Sequence, residues 1–217
     1  SAEAISAAAD ATLAAVNGGT ITVDDNGTTT LSVASADLVY DAMGGDTDGS
    51  AYGNYNLSDT AANLSNANAA LINFAENVTA TDDADVAEAT AFAATARPMG
   101  SVSYSISDTV GAITGAALAV RNGADNIEAT GTATVAQAVT LNSIGNSGTT
   151  SYSIDNTAVL LASTNADDVA AIEAATGTVS ANTAATGDQA SIIAGFNKAV
   201  VFSISDTAAE VAASTGL

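Results

Sequence analysis

Acidic side chains in short polar loops are the residues whose type and spacing best suit chemistry in this chain. The clustered carboxylates are Asp24 with Asp25, Asp46 with Asp48, and Asp82 and Asp83 with Asp85. Calcium takes hard oxygen ligands from flexible loops, and the run Asp-Thr-Asp-Gly-Ser at residues 46–50 matches the opening of a calcium loop. No third acid and no closing Glu follow at the usual offsets. Calcium is therefore the cofactor that these loops suggest, and turn formation or helix capping is the competing role.

Covalent and acid–base catalysis find few suitable residues. The chain has no His and no Cys, so a serine nucleophile lacks its usual base, and Lys198 is the only lysine. Paired carboxylates such as Asp167 and Asp168 suit glycoside hydrolysis, but the chain has no Trp and only 4% aromatic residues to hold a sugar ring. We expect no catalytic residues and no enzyme.

The charge balance narrows the classes of partner. Asp and Glu number 24 against 3 Lys and Arg, which gives a net charge of −21. Nucleic-acid binding needs many cations along a phosphate backbone, and an anionic membrane surface repels such a chain. We therefore expect no nucleic-acid partner and no direct membrane insertion.

The elements that position these residues follow a short phrase that returns four times. Its leading aromatic residues, spaced by 49, 48 and 50 residues, are Tyr55, Tyr104, Tyr152 and Phe202. Acidic residues that recur within the phrase are Asp59, Asp108, Asp155 and Asp206. A fixed period of this length predicts a tandem array of one supersecondary unit, in which these residues define the repeat. We expect Asp59, Asp108 and Asp206 to cap the helix that follows each of them.

One unit is predicted to contain a strand, a helix, a second strand and a second helix. In the second unit, residues 102–106 alternate between apolar and Ser positions, residues 110–120 are Ala-rich, and a strand at 126–130 precedes a helix that begins at Val135. Helix-length connections require parallel strands. The predicted fold class is α/β, an open solenoid-like parallel sheet with helices mainly on one face and a Ser/Thr-rich face opposite.

The predicted organisation has five blocks. Residues 1–52 form a partial N-terminal repeat that ends in a Gly/Asp-rich loop, 53–101 and 102–150 form repeats, 151–200 a divergent repeat without an obvious second strand, and 201–217 a partial C-terminal repeat. Both terminal blocks look like half a unit. They favour either a piece of a longer polypeptide or subunits that complete one another head to tail.

Residues 58–64, Ser-Asp-Thr-Ala-Ala-Asn-Leu, and their echo at 205–209 carry a resemblance. The phrase resembles the SDTAANL-type tandem repeats of very large exported bacterial surface proteins, which include adhesin-like and type I-secreted chains. The resemblance covers roughly residues 53–217 and implies an extracellular or cell-surface repeat module. The glycine-rich calcium nonapeptides that often accompany such proteins do not occur in this sequence.

These observations favour a non-enzymatic structural protein: a segment of an adhesin, surface layer or extracellular filament that self-associates head to tail. A second hypothesis is a binding module that presents its Ser/Thr-rich strand face to surface glycans or to ice. A third is a spacer in a bacteriophage virion or tail.

Overall fold

A computed structural model describes residues 29–42, 55–93 and 100–214. The predicted Gly/Asp-rich loop and the candidate calcium residues Asp24, Asp25, Asp46 and Asp48 lie outside these ranges. The chain divides into two compact units. Unit 1 comprises residues 1–106 with 123–125, and unit 2 comprises residues 107–122 with 126–217.

Nine strands and eleven helices are present in the described ranges. In chain order they are β1 (Thr29–Leu31), α1 (Val33–Ala42), β2 (Tyr55–Asp59), α2 (Ala61–Ser65), α3 (Ala69–Phe74), β3 (Ala75–Ala80), α4 (Val86–Ala93), β4 (Val102–Ser103), β5 (Ile106–Thr109), α5 (Val110–Gly115), α6 (Leu118–Gly123), β6 (Ile127–Ala133), α7 (Val135–Asn142), β7 (Thr150–Asn156), α8 (Ala158–Leu161), α9 (Ala166–Ala174), β8 (Val179–Ala181), α10 (Gly187–Ala194), β9 (Val200–Val201) and α11 (Ala208–Ala213). The fold class is α/β, as predicted.

The strands form two parallel sheets, and their order in each sheet follows the chain. The first sheet has the order β1-β2-β3-β4 and the second has the order β5-β6-β7-β8-β9. Every strand pair whose register is defined is parallel. Because a parallel pair needs a long crossover, a helix-containing connection separates most successive strands.

The core of unit 1 is built from apolar side chains that repeat at matching positions of neighbouring strands. Leu31 pairs with Leu57, and Leu57 pairs with Val78. All three are buried, as are Leu64, Leu71 and Phe92 on the helices. The rings of Phe92 and Tyr104 meet edge to face, with their centroids 5.6 Å apart. Aliphatic strand residues covered by helices thus form this core, as the alternating strand pattern predicts.

Unit 2 repeats this construction. Ile154 pairs with Val179, which pairs with Val200, and Ile154 also lies beside Ala133 of β6. The helices that cover this sheet contribute buried Ile113, Leu141, Leu161, Ile172 and Ile193. Helix α7 packs against α5 and α9, whereas α8 packs against α10, so the helices also contact one another.

Threonine hydroxyls cap the starts of five of the eleven described helices. Thr60, Thr109, Thr134, Thr186 and Thr207 each occupy the N-cap in extended backbone geometry, and each accepts a hydrogen bond from the backbone N–H three residues later. At Thr134 and Thr186 a Gln side chain completes a reciprocal capping box. Because short Ala-rich helices have little intrinsic stability, these caps largely decide where each one starts.

Three predicted elements differ in detail. The helix predicted at 110–120 is divided into α5 and α6, because Ala116 is extended after Gly115, a poor helix former. The strand predicted at 102–106 is two strands, and between them the carbonyl of Tyr104 accepts from Asp125 N at 2.7 Å. The divergent third block does have a second strand, β8.

Strand β6 contains a bulge. Gly131 adopts a φ of +84° where the register of β6 shifts against β7, and a glycine tolerates this conformation.

Candidate functional site

The aromatic residues of the recurring phrase have related surroundings at three of their four positions. The hydroxyl of Tyr55 donates to the carbonyl of Leu71 at 2.6 Å, and the hydroxyl of Tyr152 donates to that of Ala171 at 2.7 Å. Tyr104 is equally buried, whereas Phe202 is half-buried and has no hydroxyl. Each of these two hydrogen bonds connects a strand to the helix that ends before the next strand of the chain.

Burial alters the ionisation of these phenols. Desolvation raises the pKa of Tyr152 to about 12. Desolvation, with the nearby Asp125 carboxylate as a second cause, also raises the pKa of Tyr104. Both groups remain neutral hydrogen-bond donors at physiological pH.

Asp59 joins two helix starts. Its Oδ1 accepts from Thr60 N at 2.8 Å and from Asn63 Nδ2 at 2.8 Å, while its Oδ2 accepts from Val33 N at 2.9 Å. Val33 is the first residue of α1, the helix that precedes β2. The expectation that Asp59 caps the following helix needs correction, because Thr60 occupies that N-cap and the second carboxylate oxygen serves the preceding helix.

The same contact recurs with other donors and acceptors. The first N–H of a helix donates to a side-chain oxygen from a segment 19 to 26 residues further along the chain. The pairs are Val33 with Asp59, Ala61 with Asp82, Ala158 with Thr183, and Gly187 with Asp206. We call these four contacts the inter-turn caps. The repeated phrase alone does not predict these contacts. The signal that indicates them is an Asp or Thr at or after the end of the strand that follows the helix.

Hydrogen bonds favour the ionised form of two of these carboxylates, Asp59 and Asp206. Burial alone raises the pKa of Asp59, but the bonds from Asn63, Val33 and Thr60 outweigh it, so the pKa lies below its usual value. The bond from Gly187 N, with smaller contributions from Glu210 and Thr207, likewise lowers the pKa of Asp206. Both carboxylates therefore act as acceptors at neutral pH.

The candidate calcium residues that the structure describes take part in helix starts. Asp82 Oδ1 accepts from Ala61 N at 2.7 Å. Asp85 Oδ1 accepts from Glu88 N at 2.7 Å, and Glu88 Oε2 accepts from Asp85 N at 3.0 Å. Asp83 is exposed. Within the described ranges, no group of three or more acidic side chains is arranged to hold a metal ion. Calcium binding stays a prediction.

Asp108 and Asp155 behave differently within the phrase. Asp108 Oδ1 accepts from Thr109 N at 2.6 Å, as Asp59 does from Thr60. Asp155 instead accepts from Ser180 Oγ at 3.3 Å. The residue that structurally matches Asp59 is its neighbour Asn156, whose Oδ1 accepts from Thr157 N at 2.9 Å.

Polar side chains also line up across the strands of unit 1. Asn56 pairs with Asn77, whose Nδ2 donates to Asn56 Oδ1 at 2.8 Å, and Ser101 Oγ donates to Asn77 Oδ1 at 2.8 Å. A second row contains Ser58, Thr79 and Ser103 at matching register. These rows lie on the half-exposed side of the strands, where the sequence places Ser and Thr.

A cavity of about 270 Å³ opens at the carboxyl ends of β6 and β7, among the starts of α7, α8 and α9. Its walls are Thr134, Val135, Ala136, Asn156, Val159, Leu160, Ser163 and Asp168. Val159 and Leu160 are exposed, whereas Asn156 is only 7% exposed. Asp168 Oδ2 accepts from Ser163 Oγ at 2.7 Å.

The last described strand of unit 2 presents an uncovered apolar edge. Val201 is 65% exposed and Ile204 is 38% exposed. The equivalents of Ile204 in the earlier phrases, Leu57, Ile106 and Ile154, are almost completely buried. We call Val201 and Ile204, with exposed Ala208 on α11, the β9 edge.

Among the described residues, no helix is long and apolar enough to cross a membrane. Comparison with family models, with curated proteins and with solved structures gives no significant match for this chain.

Proposed function

We propose that this chain is a non-enzymatic structural repeat protein of an adhesin, surface layer or extracellular filament, and that its copies associate head to tail. Its roughly 49-residue blocks each supply two turns of an open α/β solenoid, and each turn contributes one strand and the helical connection after it. Function then resides in length, spacing and end-to-end contact, as in other repeat arrays.

The β9 edge is the observation that carries this proposal. In the interior of each unit, apolar strand residues are buried because the next strand pairs with them, as Ile154 does with Val179. In the last described turn Ile204, the equivalent of these buried residues, is 38% exposed, and Val201, which pairs with Ser180 in the polar row, is 65% exposed. A strand of a second copy can pair there, bury these residues and extend the parallel ladder.

An extracellular location is supported by composition and by the phrase. A net charge of −21 keeps an exposed array soluble, and a chain without cysteine does not depend on the redox state of its compartment. The recurring Ser-Asp-Thr phrase resembles that of large exported bacterial surface proteins.

Sedimentation velocity and negative-stain electron microscopy of the full chain test self-association. We expect concentration-dependent growth into linear oligomers. Val201→Glu should suppress this growth, because it places a buried charge in the contact, whereas Leu118→Glu, at a residue of similar exposure on α6, should not. The measurement is repeated with calcium and with a chelator. A stable monomer at high concentration in both conditions contradicts the proposal.

A second candidate function is supported by the polar rows of unit 1. Ser58, Thr79 and Ser103 repeat at the spacing of adjacent strands, about 4.8 Å. A regular hydroxyl row suits ordered water or glycan hydroxyls. A glycan array and a thermal-hysteresis assay test this alternative, and no signal in either removes it.

A further inference from the structure

The third copy of the recurring phrase differs from the other three on the exposed side of the helix that follows it. In α8, Val159 is 63% exposed and Leu160 is 53% exposed. The residues at the two corresponding positions of α2, α5 and α11 are small or polar: Ala62 and Asn63, Gly111 and Ala112, and Ala209 and Glu210. Because a helix forms in those copies without large aliphatic side chains there, local folding does not require Val159 and Leu160 to be apolar.

The core does not account for the two side chains either. The residue after the exposed pair is fully buried in the first three copies of the phrase, where it is Leu64, Ile113 or Leu161. These helices therefore present the same side to their sheets, and the pair lies on the outer side of α8. Exposed aliphatic side chains that are neither a folding requirement nor part of the core indicate a contact with another molecule.

A neighbouring helix adds to this apolar surface. Helix α8 packs against α10, on which Ile192 is 37% exposed. On the other side of α8, Val159 and Leu160 border a groove of about 270 Å³ with Val135 and Ala136 of α7. We call Val159, Leu160 and Ile192 the α8 patch. It offers aliphatic side chains on the surface of two packed helices and a groove beside them.

The charges near the α8 patch are all negative. Asp168 lines the same groove as Val159 and Leu160. Asp188 is exposed and lies four residues before Ile192 on α10, so the two residues are neighbours on that helix. Residues 158–194 contain four acidic residues and no Lys or Arg. The surface therefore attracts a positively charged partner and repels a negatively charged one.

This charge pattern disfavours a second copy of the chain as the partner. Each chain has a net charge of −21 and only three basic residues, so most of its surface is repelled by the acidic residues beside the patch. A basic amphipathic helix has the complementary properties, because it presents aliphatic side chains on one side and Lys or Arg at the borders of that side.

We propose that the α8 patch is a docking surface for a basic amphipathic helix of another protein. The apolar side of that helix packs against Val159, Leu160 and Ile192, and its Lys or Arg side chains pair with Asp168 and Asp188. The patch uses residues other than those of the β9 edge, so this proposal does not depend on head-to-tail association.

The test is the fluorescence anisotropy of three labelled model peptides mixed with the full chain. The first is a helix of Leu and Lys, about 14 residues long, with all Leu on one side. The second has the same composition in an order that spreads Leu around the helix, and the third has Glu in place of Lys. We expect the first peptide to bind with a dissociation constant of about 1–100 μM at physiological salt, and the others at least about tenfold more weakly. Equal binding of the first two peptides, or no binding of the first, overturns the proposal.

Variants locate the binding surface. Val159→Ala combined with Leu160→Asn reproduces the residues at positions 62 and 63, so the chain should fold and keep its net charge. We expect the dissociation constant of the first peptide to rise about tenfold or more in this variant. Leu118→Asn, at a residue of similar exposure on α6, is the matched control and should leave it unchanged. Asp188→Asn should raise it severalfold.

Two outcomes of the variant experiment contradict the proposal. Unchanged peptide affinity in the Val159→Ala/Leu160→Asn variant would mean that the net charge of the chain alone attracts the peptide. A loss of self-association in the same variant without peptide, measured by sedimentation velocity, would assign the α8 patch to a contact between copies of this chain.

Discussion

The phrase that begins at Tyr152 and the phrase that begins at Phe202 have nearly the same sequence pattern and opposite surroundings. In the first, Tyr152, Ile154 and Ala158 are buried. In the second, Ile204 and Ala208 are exposed, although α11 still begins with a Thr cap at Thr207. Local structure is thus encoded within the phrase, whereas burial depends on the turn that follows it.

This difference separates two sources of stability. A short helix follows every copy of the phrase, and a Thr hydroxyl caps it in three of the four copies, because these hydrogen bonds involve residues only a few positions apart. The larger hydrophobic term arises only when the next strand and helix cover the apolar side chains. We therefore expect unit 2 to be more stable in its interior, around β7, than at β9.

The largest expected effect is on core packing. Ile154→Ala should lower the free energy of unfolding by about 2–5 kcal/mol, because it leaves a cavity around a fully buried position. Ile204→Ala, the matched change in the last phrase, should cost less than about 1 kcal/mol in the monomer. Urea denaturation of both variants measures the difference, and equal losses contradict the contrast between interior and edge.

A smaller effect is expected at the leading aromatic residue. Tyr152→Phe should lower the free energy of unfolding by about 1–2 kcal/mol, because the buried carbonyl of Ala171 loses its donor. The pKa of Tyr152 is raised to about 12 in the folded chain against 10.0 for an exposed phenol. The stability that it adds is therefore complete below pH 10 and is lost as the pH rises towards 12. The variant should lose part of this alkaline dependence.

Phe202→Tyr is the control for the tyrosine prediction. It adds a hydroxyl at a half-buried position, so urea denaturation should detect a change within about 0.5 kcal/mol. A large gain in the free energy of unfolding would mean that a tyrosine hydroxyl at position 202 also donates to a buried carbonyl. The two phrases would then differ less than their burial indicates.

Much of the fold is predictable from the sequence because it depends on short-range patterns. Alternating Ser and aliphatic residues indicate β7, and Asp-Thr before an Ala-rich run indicates the start of a helix. The division of the predicted 110–120 helix is harder to foresee, because it depends on an extended Ala116, and alanine ordinarily favours a helix.

The candidate sites are less predictable, since they depend on which turns lie side by side. Asp59 was expected to serve only the helix that follows it, but the parallel register brings its second oxygen to Val33, 26 residues earlier. Asn156 occupies the position of Asp59 in its phrase and keeps the contact with the next Thr N–H. An Asn has no second acceptor oxygen, and this difference matters only once Asp59 Oδ2 is known to accept from Val33 N.

Removal of the Asp59 carboxylate should show how much an inter-turn cap contributes to the free energy of unfolding. Asp59→Asn should lower the free energy of unfolding by about 1 kcal/mol at neutral pH, because an amide keeps only one acceptor. The folded pKa of Asp59 is lowered, so its contribution is present above its usual pKa of 3.8 and is lost as the pH falls through the folded value. Denaturation between pH 2 and 7 should therefore show a weaker acid dependence in the variant.

Asp206→Asn provides the matched change at the edge. Asp206 is exposed and makes the same pair of contacts, with Gly187 N and Thr207 N, so water can replace its lost acceptor. We expect a smaller loss than for Asp59→Asn. If the edge variant loses more, burial does not determine the strength of these caps.

The smallest effect concerns the threonine at the helix start. Thr60 Oγ1 accepts from Asn63 N at 3.2 Å, so Thr60→Val should cost about 0.5–1 kcal/mol. Thr157 Oγ1 is buried and, within the described part of the chain, has no hydrogen-bond partner. Thr157→Val keeps the shape of the side chain and removes an unpaired hydroxyl, so it should leave stability unchanged or raise it slightly. Thermal unfolding measures both variants. Thr60→Val removes a hydroxyl that caps a helix, whereas Thr157→Val removes a hydroxyl without a partner. Equal losses at both positions would mean that Thr157 has an acceptor or a donor, such as a bound water, in solution.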